Sequence, residues 1–234
     1  MRGVNRNFLK YVSIIAMLLD HFAAYFLPSN LVIYSILRMI GRLTAPIICY
    51  FLAEGYFHTR SKTKYLVRLL IFAVISQVPF MMVENINWTH LRLNILFTLV
   101  LSFMALWCFD SIRNPLLKAL SILSLISLSI LADWAVIAPI WVLIFHAFRN
   151  DRFHKFEYFT ISILVYLGII VISSILLEYQ LSEYIFHIGM VIVVPILLLY
   201  NGSNGKHRIS KWIFYIIYPF HLMMIALIKI CIIK

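Results

Sequence analysis

Asp20 and His21 lie side by side within the first apolar segment of this 234-residue chain, and the second apolar segment carries Arg38 and Arg42. A charged residue at the centre of a membrane helix costs about 2.5–3.5 kcal/mol on insertion scales, so such groups are expected to face one another inside a bundle. An acid, an imidazole and two guanidiniums in neighbouring segments therefore predict a functional site rather than two simple membrane spans.

The spacing of these residues predicts how they are presented. At 1.5 Å per residue, His21 and the two arginines lie at overlapping depths, slightly outside the bilayer midplane. Arg38 and Arg42 are four residues apart and share one helix face. Lys10 precedes His21 by eleven residues, which is close to three turns, so it is expected on the same face at the cytoplasmic end. Asp20 points about 100° away from His21 and is expected to anchor an arginine; a purely structural ion pair is the alternative.

Further polar groups lie inside later apolar segments. His221 follows Tyr218 in the last segment, and Asn94 and Thr98 are four residues apart in the fourth. Asn94 and His221 are candidate substrate-binding residues. Both have a structural alternative, since polar side chains in membrane bundles commonly form hydrogen bonds between helices.

The composition is that of an integral membrane protein. Hydrophobic residues make up 63% of the chain and charged residues 12%, with a mean hydropathy of +0.96. The formal net charge is +11, but the basic residues lie between apolar segments, so membrane topology and anionic lipid explain them better than nucleic acid does. Three cysteines without a Cys-x-x-Cys spacing predict neither disulfides nor a metal site.

The apolar segments predict an all-α, polytopic bundle of about nine transmembrane helices, forming a single domain over residues 1–234. The predicted spans are 9–27, 31–57, 65–83, 93–109, 116–132, 134–148, 158–177, 184–200 and 212–231. The second span is long and contains Pro46, which can kink a helix because it cannot donate a hydrogen bond to the carbonyl of Arg42.

The loops between these segments alternate between basic and nearly free of basic residues. By the positive-inside rule, this pattern places the N-terminus in the cytoplasm and the C-terminus outside. The basic set comprises Arg2, Arg6, Lys10, Arg60, Lys62, Lys64, Arg113, Lys118, Arg149, Arg152, Lys155, Lys206, Arg208 and Lys211. The other set comprises residues 28–30, 84–92, the stretch at Asp133, and 178–183.

About the first 100 residues resemble the TraX family of membrane acetyltransferases. The resemblance is carried by Asp20-His21, Arg38-Met-Ile-Gly-Arg42-Leu-Thr-Ala-Pro46, Glu54-Gly55-Tyr56-Phe57-His58-Thr59, Tyr65-x-x-Arg68-Leu69, Ser76-Gln77-Val78-Pro79-Phe80 and Asn94 to Thr98. A more distant similarity links the chain to acyltransferases of the acyltransferase 3 type. In those proteins a basic residue precedes a histidine by eleven positions, as Lys10 precedes His21, and paired arginines follow; the spacing of Arg38 and Arg42 is wider than in that pattern.

The resemblance implies an acyltransferase in the bacterial cytoplasmic membrane that moves acetyl from cytoplasmic acetyl-CoA to an amine or hydroxyl at the outer half. The acceptor would be a surface peptide, a pilin-like protein, a glycan or an envelope polymer. His21 is the candidate base, while Arg38 and Arg42 would stabilise the oxyanion or grip the pantetheine arm. The candidate donor-binding rim is Lys10, Arg60, Lys62, Lys64 and Arg68. The alternative is a transporter in which Asp20, Arg38 and Arg42 relay a proton or an anion.

Overall fold

The computed structural model describes residues 3–86, 92–178, 184–203 and 212–232. Within these ranges the structure contains helices and two isolated β-bridges but no β-strand, which confirms the all-α prediction. The α-helices are α1 Arg6–Phe26, α2 Val32–Gly41, α3 Thr44–His58, α4 Lys62–Glu84, α5 Ile95–Ser111, α6 Pro115–Leu128, α7 Ile137–Ala147, α8 Arg152–Leu176, α9 Val193–Leu198 and α10 Ile213–Ile232. Short 3₁₀ helices precede α7 and α9 at Ser129–Leu131 and Ile185–Ile192.

The predicted apolar segments all coincide with helices, but the helices fall into two length classes. Among the described residues, five stretches are long and apolar enough to cross a membrane. The shorter apolar helices are Ile95–Ser111, Pro115–Leu131, Ile137–Ala147 and Ile185–Leu198. The chain is therefore a helical membrane protein, while the count of nine spans and the cytoplasmic N-terminus stay predictions. Of the residues used for that topology, Arg2, Glu183, Lys206, Arg208 and Lys211 lie outside the described ranges.

Local side-chain caps explain where several helices begin. The first backbone N–H groups of a helix lack intrahelical partners, and a side-chain oxygen just before the helix satisfies one of them. Caps of this kind precede α1, α4, α5, α6 and α8 at Asn5, Ser61, Asn94, Asn114 and Asp151. In α6 the next residue is Pro115, whose fixed φ suits the first helical position.

The second apolar segment is interrupted near Pro46, as its sequence predicts. Helix α2 ends at Gly41 and α3 starts at Thr44. The Arg42 N–H still bonds to the Arg38 carbonyl (3.2 Å), whereas Pro46 has no N–H to return to the Arg42 carbonyl. Arg42 therefore sits at the junction of two helices, where its side chain can reach α1.

The chain divides into two compact units, and the border falls inside α3. One unit combines Met1–Ile48 with Phe148–Ile209. In this unit the N-terminal backbone pairs with the segment after α9 through bonds between Val4 and Leu199 (2.8 Å) and between Asn201 and Val4 (3.0 Å). The other unit combines Cys49–Ala147 with Ser210–Lys234, and its core includes Phe103, Trp141 and Leu222. The prediction of one functional domain is not tested by this division.

Two glycines permit close helix packing in the first unit. A Cβ atom at Gly41 would lie 2.2 Å from the Asp20 carboxylate oxygen Oδ1. A Cβ atom at Gly189 would lie 2.1 Å from the Met39 carbonyl oxygen. Both distances are far below van der Waals contact, so α1, α2 and the Ile185–Ile192 helix approach this closely only because these positions lack side chains.

Gly41→Ala and Gly189→Ala are each expected to lower the free energy of unfolding by about 1–3 kcal/mol, the usual cost of overpacking. Gly168→Ala is the matched control, because a Cβ at Gly168 in α8 meets nothing within 4 Å and alanine is the better helix former. Thermal unfolding of the three purified variants in detergent checks this. Equal midpoints for Gly41→Ala and Gly168→Ala would contradict the tight packing at Gly41.

Candidate functional site

One carboxylate in the first unit holds two guanidiniums. Asp20 lies in the C-terminal half of α1, Arg38 in the last turn of α2, and Arg42 directly after α2. Arg38 Nη1 donates to Asp20 Oδ2 (2.7 Å), and Arg42 Nη2 donates to Oδ1 (2.8 Å) and Oδ2 (2.9 Å). Asp20 thus anchors both arginines, because each oxygen of a carboxylate accepts hydrogen bonds separately.

The network is largely buried, and two guanidiniums share one carboxylate. Asp20 and Arg42 are each 8% exposed, and the Arg38 side chain is 17% exposed. The ring of Phe186 supports both cations, with its centroid 4.8 Å from Arg38 Cζ and 5.1 Å from Arg42 Cζ. Since a ring face attracts cations, Phe186 helps to hold the two arginines together without neutralising them.

His187 lies beside this network and was not predicted from the sequence. Its ring stacks on Phe186 at 4.5 Å between centroids, and it interacts electrostatically with both arginines. Within the described part of the chain its buried Nδ1 atom has no hydrogen-bond partner. No sequence spacing links His187 to α1 or α2, so only the packing of the Ile185–Ile192 helix reveals it.

His21, the predicted base, lies on α1 one residue after Asp20. It is half-buried, and its ring packs against Tyr25, one turn later, with centroids 5.8 Å apart. Asp20 is engaged with the two arginines, as expected from the 100° offset between adjacent helical residues. Two histidines of the first unit are therefore candidates: His21, adjacent to Asp20 in sequence, and His187, stacked on the Phe186 ring that contacts both arginines.

Comparison with known proteins assigns the chain to a family. The family model described as TraX protein matches residues 5–229. The chain belongs to the TraX family. This confirms the resemblance of the first 100 residues and extends it over nearly the whole sequence.

Two relatives of this TraX-family chain differ in how much they cover. The probable fimbrial assembly protein FimC, serogroup H1, of Dichelobacter nodosus is 33% identical over 234 residues, covering 94% of each protein. The uncharacterized protein RP591 of Rickettsia prowazekii (strain Madrid E) is 36% identical over 74 residues, covering 31% of this chain and 26% of that protein. No solved structure shows a significant match.

A second polar cluster, in the other unit of this TraX-family chain, comes from four different helices. The Tyr56 hydroxyl donates to Asp110 Oδ2 (3.0 Å) and accepts from Lys62 Nζ (2.5 Å). His146 Nε2 lies 2.9 Å from Asp110 Oδ1. His146 is 6% exposed, and among the described residues its Nδ1 has no hydrogen-bond partner. The cluster connects α3, α4, α5 and α7, and in it the imidazole of His146 lies within hydrogen-bonding distance of the carboxylate of Asp110.

Of the residues in this second cluster, the sequence predicted a role only for Lys62, as part of the donor-binding rim. In the structure the Lys62 ammonium contacts Tyr56 and Asp110. It also lies 4.2 Å from the centre of the Tyr56 ring. Asp110 and His146 each end an apolar helix, where polar residues are common, so their positions alone gave no signal.

The other rim residues are distributed over both units. Lys10 belongs to the first unit and is half-buried on α1. Arg60 is exposed in the second unit, where Lys64 and Arg68 line a cleft along α4. The rim thus contains residues with three different surroundings: a membrane helix, a solvated loop and an apolar cleft.

Asn94 and His221 are both engaged with protein groups in the second unit. Asn94 Nδ2 donates to the Ala73 carbonyl (2.8 Å) and to Gln77 Oε1 (2.9 Å), while Asn94 Oδ1 caps α5. His221 Nδ1 lies 2.9 Å from the Ile217 carbonyl, and its ring packs against Tyr218. Asn94 pins α4 to α5, which agrees with its structural alternative.

Proposed function

We propose that this protein is an acyltransferase of the bacterial cytoplasmic membrane that transfers acetyl from cytoplasmic acetyl-CoA to an amine or hydroxyl on a surface-exposed acceptor. Membership of the TraX family supports the reaction class. The relative named as a probable fimbrial assembly protein supports a fimbrial subunit as the acceptor. Lys10, in the same unit as the network and on the predicted cytoplasmic side, would meet the phosphates of the donor.

The observation that carries this proposal is the largely buried Asp20–Arg38–Arg42 network, in which one carboxylate positions two guanidiniums. Attack on a thioester carbonyl places negative charge on the carbonyl oxygen in the transition state. Preorganised cationic donors in a water-poor site stabilise such an oxyanion, and loss of one donor typically costs about 10²–10³-fold in rate. In this proposal Asp20 orients the two guanidiniums, and their N–H donors stabilise the oxyanion.

Acyl transfer also needs a group to accept the proton of the attacking amine or hydroxyl. His21 takes this role in our proposal, and His187 is the second candidate because it stacks on Phe186, the ring that contacts both guanidiniums. The acetyl carbon–sulfur bond breaks as the new carbon–nitrogen or carbon–oxygen bond forms. The imidazolium then returns its proton to the CoA thiolate, so the site is regenerated.

The direct test is transfer from radiolabelled acetyl-CoA, using proteoliposomes of the purified protein and the envelope fraction of a strain that lacks the gene. We expect label in the envelope fraction with the wild type. Arg38→Lys and Arg42→Lys should each lower the rate by about 10²–10³-fold, since lysine keeps the charge but loses the planar fork of donors. Arg113→Lys, at an exposed position, is the matched control.

Two results would go against the proposal. Full activity in both arginine variants would reduce Arg38 and Arg42 to structural counter-ions. Absence of labelling by the wild type, combined with proton or anion flux in the same proteoliposomes, would favour the transporter alternative.

A further inference from the structure

A cleft of about 420 Å³ runs along α4 in the second unit, and none of its lining residues belongs to either polar cluster. Its wall is almost entirely apolar and includes Val67, Ile71 and Phe72, while Lys64 and Arg68 border it nearer to the start of α4. The distance from Thr63 to Phe72 along the helix is about 14 Å. The cleft is therefore an apolar groove with two basic side chains at its border, on a helix that is long enough to span a membrane.

Arg68 is an unusual residue for the interior of such a helix. Its guanidinium lies among three aromatic rings, with Cζ at 4.9 Å from the centre of Tyr65, 5.2 Å from Tyr215 and 5.6 Å from Trp212. Its buried Nε has no hydrogen-bond partner within the described ranges. The ion pairs found among the described residues involve neither Arg68 nor Lys64. Within the part of the chain that the structure describes, the cation is therefore held by aromatic rings rather than by a carboxylate.

The distance of these two charges from the start of α4 matches the depth expected of a lipid headgroup. Arg68 lies six residues after the start of α4, or about 9 Å along the helix, and Lys64 lies one turn nearer to the end. Trp212, at the other side of the cleft, is of a residue type that is enriched at the membrane interface. Val67 and Ile71 are 48% and 52% exposed, so the apolar part of the cleft is open to an acyl chain.

From this charge complementarity we infer that the cleft binds an anionic phospholipid, with the phosphate at Lys64 and Arg68 and an acyl chain along Val67, Ile71 and Phe72. A nucleotide such as that of acetyl-CoA carries several charges and fits the apolar part of this cleft poorly. The positive-inside pattern places the site in the cytoplasmic leaflet, where anionic lipids attract basic residues. This assignment gives Lys64 and Arg68 a role other than donor binding and does not depend on the proposed enzymatic activity.

Native mass spectrometry of the purified full-length protein tests the inference. Phosphatidylglycerol and phosphatidylcholine with identical chains are titrated in separate samples, and acetyl-CoA is titrated in a third. We expect preferential binding of phosphatidylglycerol. Lys64→Gln and Arg68→Gln should each weaken that binding by about fivefold, the equivalent of roughly 1 kcal/mol per basic residue near a membrane surface. Lys118→Gln and Arg113→Gln, outside the cleft, are the matched controls for lost charge.

Several outcomes would overturn the inference. Equal binding of the two lipids would remove the headgroup preference, and equal losses in the control variants would show attraction by overall charge alone. If acetyl-CoA binds and its binding is lost in Lys64→Gln and Arg68→Gln, the cleft is a donor site. Should Arg68→Gln fail to fold, the exposed Lys64→Gln variant still decides the question.

Discussion

His21→Gln is expected to lower acetyl transfer by about 10²–10⁴-fold, the usual contribution of a general base. Glutamine keeps a hydrogen-bonding side chain of similar length but cannot take up a proton at working pH. The variant should fold, reach the membrane and bind acetyl-CoA like the wild type. The measurement is the rate of labelling of the envelope fraction at saturating radiolabelled acetyl-CoA.

The same assay with His187→Gln, His221→Gln and His146→Gln assigns the base among the buried and half-buried histidines of the described residues. His58→Gln is the control, because the His58 side chain is 64% exposed. A normal rate for His21→Gln together with an inactive His187→Gln would place the base beside Phe186. An inactive His221→Gln alone would place it on α10. Normal rates for all four variants would contradict general-base catalysis by any of these four histidines.

The helices of this protein were predictable because their signal is local. Long apolar runs, side-chain caps and Pro46 act within a few residues of the sequence, and the break between α2 and α3 follows directly from the missing N–H of the proline. Whether a helix of intermediate length crosses the bilayer is a different question. Ile137–Ala147 and Ile185–Leu198 are shorter than the roughly 20 residues that a membrane span needs, so their hydropathy does not decide whether they cross the bilayer.

The candidate site was only partly predictable because half of it depends on tertiary packing. Asp20, Arg38 and Arg42 were found because charge inside an apolar run is costly and therefore informative. Phe186 and His187 carry no such signal: an aromatic residue in an apolar helix is ordinary until two guanidiniums lie against it. The Asp110–His146 pair was missed for the same reason, since both residues end their helices.

The remaining question is whether the Asp20 network serves chemistry or stability, and a set of charge-removing substitutions separates the two. Asp20→Ala leaves Arg38 and Arg42 buried without their carboxylate. Breaking a buried ion pair by removing one partner costs about 3–5 kcal/mol, so we expect a large fall in the unfolding midpoint and in the yield of folded protein. Arg38→Met should cost less, because Arg42 still contacts both oxygens of Asp20.

The triple variant Asp20→Ala, Arg38→Met, Arg42→Met should recover most of the stability lost in Asp20→Ala. Replacing a whole buried ionic group by apolar side chains is often neutral or stabilising, because the desolvation cost of the charges disappears with them. Thermal unfolding in detergent and the labelling assay are measured on the same preparations. A stable but inactive triple variant would show that the three charges are kept for the reaction. A triple variant as unstable as Asp20→Ala would make the network a structural ion pair and remove the main support for the proposed oxyanion site.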